Sequence, residues 1–184
     1  MDILLQKIQL SDQAAFKEYY HAQFFRLYQF AYSFVRTKEV SEEIVNDVFM
    51  ALWQKREQLF TIGNIHVYLY VAVKNASLNH LRKNNIKVPV SLDDLSVDHF
   101  PLVPDPELLL TQRELQQQIR EAIEQLPPRC RLIFKLVKDD GLSYKEVGSI
   151  LDLSVKTVDT QLYLALKKLA AILQPLSASF NRKK

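Results

Sequence analysis

The chain has 184 residues, a formal net charge of +3 and 48% hydrophobic residues, enough apolar content for one domain or two small ones. So slight a positive balance means that any nucleic-acid-binding surface is local, and the single cysteine, Cys130, excludes an internal disulfide framework and suits a reducing compartment. No cleavable signal pattern opens the sequence and no apolar run approaches a membrane span, so a cytoplasmic protein without membrane insertion is expected.

Three glycines and no useful strand-like alternation predict an all-α protein. In chain order, Ser11 is the expected cap of the first clear helix, which carries Ala14, Ala15, Phe16, Tyr19 and Tyr20. The aromatic run that follows, from Phe24 to Val35, reads as core. Ser41 is the expected cap of the next helix, with Glu42 and Glu43 in its first turn where the helix dipole favours acids. Ile44, Val48, Ala51 and Leu52 form its apolar stripe, while Glu43, Asn46, Asp47, Met50 and Gln54 fall mostly on the other face. That face is either plainly solvated or a docking surface, and periodicity does not choose.

Residues 58–64 read as a loop and residues 65–81 as a helix. Asn75, Asn79 and Arg82 stand at i, i+4 and i+7, flanked by Lys74 and Lys83. Residues 74–87 hold four cations and no acid, which fits a nucleic-acid patch and a basic helix end equally well. Residues 88–107 reverse the balance, with four prolines, five acids and no Lys or Arg. This is an extended acidic linker, too apolar for a free tether and expected to lie along some surface. The chain is therefore expected to form two small helical domains, with their boundary in this segment.

Residues 108–126 form a helix stopped by Pro127 and Pro128, and residues 129–138 form the next, where Cys130 reads as packing rather than chemistry. Residues 141–169 then predict two helices and a tight turn. Ser143 and Glu146 make a capping box; Tyr144, Val147, Ile150 and Leu151 give an apolar stripe; Gly148 inside that helix implies a close approach. Ser154 caps a longer helix with Val155, Val158, Leu162, Ala165, Leu166 and Leu169 as its stripe, and Lys156, Thr157, Thr160, Gln161, Tyr163 and Leu164 between them. The pattern is a helix-turn-helix, against the alternative of an ordinary helical hairpin. Residues 182–184 close the chain as a basic tail.

The chemistry of an enzyme is not expected. The four histidines are scattered, no HExxH or Cys/His ligand spacing occurs, and three glycines leave no phosphate-cradling loop. No catalytic residue, metal site or cofactor is assigned.

Four stretches, AAFKEYYHAQFFRLYQFAYSF, SEEIVNDVFMALW, YLYVAVKNASLNHLRK and LPPRCRLIFKLVKDDGLSYKEVGSILDLSVKTVDTQLYLALKKL, together resemble the extracytoplasmic-function class of bacterial RNA polymerase sigma factors. Their order and spacing carry the resemblance over nearly the whole chain. It implies a region 2-like domain over residues 1–85, a linker over 86–107, a region 4-like domain over 108–175 and a tail over 176–184. It implies a promoter-specificity subunit whose partners are bacterial core RNA polymerase, promoter DNA and an anti-sigma factor. Core polymerase would be met by Glu43, Asn46, Asp47, Met50 and Gln54, with Asp47 exposed. The −10 element would be read by Phe60, Asn64, Lys74, Asn75, Asn79, Arg82 and Lys83, the 58–64 loop standing where the family captures a flipped-out base. The −35 element would be read by Ser154, Lys156, Thr157, Thr160, Gln161, Tyr163, Leu164 and Lys168. Asp159, Gln161, Leu164 and Leu166 stand where the family often carries bases, and Asp152 replaces its common turn glycine. Two alternatives are a helix-turn-helix regulator acting without being a polymerase subunit, and a helical protein-interaction module.

Overall fold

A computed structural model describes residues 3–89, 91–95 and 110–180, with side chains omitted at 110–115 and 174–180. Among the described residues there are helices, turns and bends but no strand. The chain divides into two compact units at Val90/Ser91.

In the first unit a short helix, α1 (Ile3–Gln9), precedes α2 (Gln13–Val35), α3 (Lys38–Gln54) and α4 (Ile65–Lys83), with a 3-10 turn over Arg56–Thr61. Two caps differ from the sequence expectation. Ser11 is in the left-handed conformation at φ 67° and closes α1, and Asp12 caps α2 instead, its carboxylate accepting from the Ala15 amide at 3.0 Å. Ser11 still has a use, because Arg56 Nε donates to its hydroxyl at 2.8 Å. Likewise α3 begins one turn before Ser41, at Thr37, which makes no side-chain cap. Ser41 is buried within α3 and its hydroxyl donates back to the Thr37 carbonyl at 2.6 Å. A buried hydroxyl satisfied at i−4 mimics a cap signal in sequence while lying inside the helix.

α2 packs on both α3 and α4, α3 on α4, and α1 on α2. The aromatic run divides by periodicity. Leu27, Phe30, Ala31 and Phe34 are buried, with the Phe30 ring edge-on to Tyr70 at 5.0 Å. Tyr20, Phe24, Tyr28 and Tyr32, four residues apart, form a half-exposed ladder of neighbouring rings. Burying one such core phenylalanine contributes about 1.5–3 kcal/mol, and these rings share the interior with aliphatic side chains such as Ile8, Val45, Leu52 and Leu69.

The second unit comprises α5 (Leu110–Glu124), α6 (Pro128–Lys138), α7 (Tyr144–Leu151) and α8 (Val155–Phe180). α5, α6 and α7 all pack on α8. Pro128 starts α6 at a position where a missing N–H is harmless. α8 continues to Phe180, beyond position 175. The described start of the acidic segment is ordered. Ser91 and Asp94 form a reciprocal capping box around a 3-10 turn, Leu92–Asp94, that packs on α6, and Leu95 is 3% exposed. Asp98, Asp105 and Glu107 of that segment, and the basic residues 182–184, lie outside the described residues.

Candidate nucleic-acid interface

α3 offers the first candidate surface. Glu43, Asp47, Met50 and Gln54 are exposed, opposite the buried Ile44, Val45, Val48 and Leu52. Asn46 is different: it is half-buried and its Oδ1 accepts from the Tyr20 hydroxyl at 2.8 Å, tying α3 to α2. Burial, and secondly the Glu42 carboxylate, push the Tyr20 hydroxyl above its ordinary pKa, so it stays a donor at neutral pH. Asn46 thus orients its helix at least as much as it presents a surface.

The second surface runs from the Arg56–Thr61 turn into α4. Phe60 is 63% exposed. Asn64 caps α4, its Oδ1 accepting from the Val67 amide at 3.1 Å. Between them lies a cavity of about 480 Å³, lined by Leu5, Leu59, Phe60, Ile62, Gly63 and Asn64 among others. Leu5, Ile65 and His66 line it without having been expected there, Leu5 because the short α1 that carries it was not anticipated. Its signal was present, because Leu4, Leu5 and Ile8 recur at helical spacing. Further along α4, Asn75, Asn79, Arg82 and Lys83 are exposed and Lys74 is half-buried. Arg82 Nη1 donates to Asn79 Oδ1 at 3.2 Å, so the amide and the guanidinium form one linked face.

The third surface is the helix-turn-helix. Gly141, at φ +74°, lets the chain leave α6 by a left-handed residue, as an L side chain rarely does. The Ser143–Glu146 box starts α7: the Ser143 amide donates to Glu146 Oε2 at 2.7 Å and the Glu146 amide to Ser143 Oγ at 3.3 Å. Gly148 is required by the turn itself rather than by a crossing helix. A Cβ there would stand 2.8 Å from the Leu153 carbonyl oxygen, and the Leu153 amide already donates to the Gly148 carbonyl at 2.9 Å. Asp152 takes the left-handed conformation that ends α7, at φ 56° and ψ 45°. Behind the turn, Lys135 and Asp140 pair at 3.6 Å with both side chains buried.

At the start of α8, Ser154 Oγ accepts from the Thr157 amide at 3.0 Å and shares a hydrogen bond with the Thr157 hydroxyl at 2.8 Å. Val158, Leu162, Ala165 and Leu169 face inward. Ser154, Lys156, Thr160, Tyr163, Leu164 and Lys168 are exposed, while Thr157 and Gln161 are half-buried. Gln161 is held from inside, because the Cys130 thiol donates to its Oε1 at 3.1 Å. Burial raises the Cys130 pKa, as does Asp93, against lowering by Lys168 and Arg129. The thiol therefore remains protonated and can donate. Among the described residues no cluster of His, Cys, Asp and Glu could hold a metal ion, and no helix is long and apolar enough to cross a membrane.

Two helical units, one ending in a helix-turn-helix and the other carrying a polar and basic helix end, define a transcription-factor class whose parts are separately recognisable. The family described as Sigma-70 region 2 matches residues 23–86, and Sigma-70, region 4 matches residues 116–169. The chain belongs to the extracytoplasmic-function sigma factors and is a promoter-recognition subunit of RNA polymerase. It is 26% identical over 185 residues to the ECF RNA polymerase sigma-E factor of Escherichia coli (strain K12), covering 95% of this chain and 94% of that one. It is 24% identical over 184 residues to the RNA polymerase sigma-H factor of Pseudomonas aeruginosa, covering 94% and 93%. The fold is similar to that of CnrH, solved in complex with the cytosolic domain of CnrY, with a TM-score of 0.55, 21% identity, and 94% and 96% coverage.

Proposed function

We infer that the work of promoter recognition is divided over three helices. α3 docks on core RNA polymerase through Glu43, Asp47, Met50 and Gln54, with Asn46 setting its pose. The 3-10 turn and α4 read the −10 element through Phe60, Asn64, Asn75, Asn79, Arg82, Lys74 and Lys83. α8 enters the major groove of the −35 element. In sequence terms these tasks fall to residues 1–85 and 108–175, with 86–107 as linker.

The observation that carries this reading is the linked Asn79–Arg82 face on α4, with three further cations and no acid over residues 74–87. A simple helix-turn-helix regulator has no need of a second nucleic-acid surface in another unit. Amides and a guanidinium on one face suit base edges and phosphates. The chain performs no catalysis of its own, since nucleotide addition belongs to the polymerase, and it works in the cytoplasm, where the chromosome is. An anti-sigma factor is a further expected partner, as CnrH is solved with the cytosolic domain of CnrY.

The test is reconstitution of the purified chain with bacterial core polymerase. Co-elution and transcription from one defined start site are expected. A chain that binds duplex DNA alone yet never associates with core polymerase would overturn the assignment.

A further inference from the structure

The outward face of α8 has exposed lysines at its two ends and exposed Tyr163 and Leu164 between them, with Asp159 exposed on the opposite flank. Lys156, Thr160, Tyr163 and Lys167 recur at i, i+4, i+7 and i+11 and are exposed, forming the stripe opposite Val158, Leu162, Ala165 and Leu169. Several nearby polar side chains already have internal partners. The Thr160 hydroxyl donates to the Lys156 carbonyl at 2.8 Å, the Thr157 hydroxyl is shared with Ser154, and Gln161 accepts from Cys130. Between the two lysines the largest exposed surface is apolar in body, the ring of Tyr163, 62% exposed and tipped by its hydroxyl, and Leu164, 45% exposed. Leu164 lies one turn beyond Thr160, on the flank of the same stripe. Lys156 and Lys167 bracket these two side chains along the helix, where phosphates on either side of a groove would lie.

The floor of the major groove offers one apolar feature, the C5 methyl group of thymine. A helix whose reach into the groove is apolar therefore discriminates by methyl contact. We propose that Tyr163 and Leu164 are specificity-determining residues that read thymine methyl groups in the −35 element. This rests on the reading that α8 occupies the major groove there. Thr160 adds its own methyl to the same surface, because its hydroxyl is turned to the helix backbone. The sequence this helix favours is thus rich in thymine at the positions under residues 160–164, and cytosine is accepted there when methylated at C5.

The experiment uses the full chain assembled with core polymerase. Upstream DNA is selected from a randomised duplex, and each thymine of the selected element is then replaced singly by deoxyuracil, which removes only the methyl. At one or more positions deoxyuracil is expected to weaken holoenzyme binding about three- to fourfold, the value of one buried methyl-sized group. Leu164→Ala or Tyr163→Ala should weaken binding to thymine by a similar factor and abolish the response to deoxyuracil at its own position. 5-Methylcytosine should bind more tightly than cytosine at that position. Both side chains are exposed, so the variants should fold, and the base substitutions leave the protein untouched. Sequence-specific upstream binding with no response to any deoxyuracil overturns the methyl reading and leaves α8 as a −35 reader. Loss of all upstream preference, with start-site-specific transcription retained, overturns the placement of α8 and the proposal with it. Variants that weaken association with core polymerase in the absence of DNA, and keep the wild-type deoxyuracil response, assign this face to a protein and overturn the methyl reading.

Discussion

Two backbone positions decide how tightly the helix-turn-helix closes. Gly148 leaves room for the Leu153 carbonyl, and Asp152 adopts a conformation that glycine adopts freely. Gly148→Ala would gain about 1 kcal/mol of helix propensity. It must also place a methyl 2.8 Å from a backbone oxygen, a conflict of the overpacking kind that costs about 1–3 kcal/mol. A lower melting temperature is expected. Asp152→Gly removes left-handed strain of about 1–2 kcal/mol, partly offset by the entropy of the more flexible unfolded chain, and should raise it. Differential scanning calorimetry of both variants checks the pair, and equal melting temperatures would remove the strain argument. Cys130 gives a pH dependence with a definite sign. Its folded pKa is raised, so its contribution to stability is complete below the unfolded thiol value of about 8.5 and is lost as pH rises through the folded value. Wild-type stability should fall relative to Cys130→Ala as pH rises above the unfolded thiol value of about 8.5, measured by urea unfolding at each pH. A constant difference between the two across that range would mean that the thiol titrates alike in the folded and unfolded states, and the raised folded pKa would be withdrawn.

At the scale of elements, the helix-turn-helix was legible because its signals are local: a capping box, two apolar stripes and a glycine within a few residues of each other, though Val155 and Leu166, expected in the second stripe, are exposed. The N-terminal caps were not, because Ser11 and Ser41 carry the right side chain in the wrong place. Asp12 lies beside Ser11, and only the left-handed backbone at Ser11 shows which of the two begins α2. Ser41 is an interior residue whose hydroxyl is satisfied one turn back. Gln161 could not be resolved from sequence either, since its partner Cys130 is 31 residues away on another helix. The exposed face of α3 was legible by periodicity, but Asn46 was drawn off it by Tyr20 from α2. That hydrogen bond separates two expectations. Asp47→Arg, an exposed charge reversal, should leave helicity and melting temperature nearly unchanged while weakening binding to core polymerase by several kcal/mol if like charges meet. Asn46→Ala should lower stability by about 1 kcal/mol through loss of the Tyr20 bond. Thermal melts and core-binding titrations of the two variants read these outcomes. Unchanged core affinity for Asp47→Arg removes α3 from the interface.

Across the whole molecule, charge is arranged against function in an uneven way. Cations gather at the end of α4, acids in the segment that follows, and α8 exposes two leucines, Leu164 and Leu166. The first part of the acidic segment is packed on α6 of the second unit, and Asp93 raises the Cys130 pKa that Lys168 and Arg129 lower. Negative charge is thereby held near the cations of that unit, which lowers its attraction for phosphate further. The N-terminal unit should consequently supply the larger share of salt-sensitive binding. Neutralising one phosphate more or one fewer changes the slope of log affinity against log salt by roughly 0.7 on single strands and 0.9 on duplex. Arg82→Ala in holoenzyme should flatten the slope on a template melted at −10 by about 0.7. Leu166→Arg, at an exposed position outside the methyl-reading pair, should steepen the slope on duplex −35 DNA by about 0.9 and raise affinity for unrelated duplex as well, since binding to phosphate carries no sequence information. Salt titrations on the two templates give both values. A flattened slope for Arg82→Ala with no change for Leu166→Arg would keep α4 on the DNA and turn residue 166 away from the phosphates. Unchanged slopes for both would mean that neither side chain lies near the backbone, and the −10 role of the Asn79–Arg82 face would fall with it.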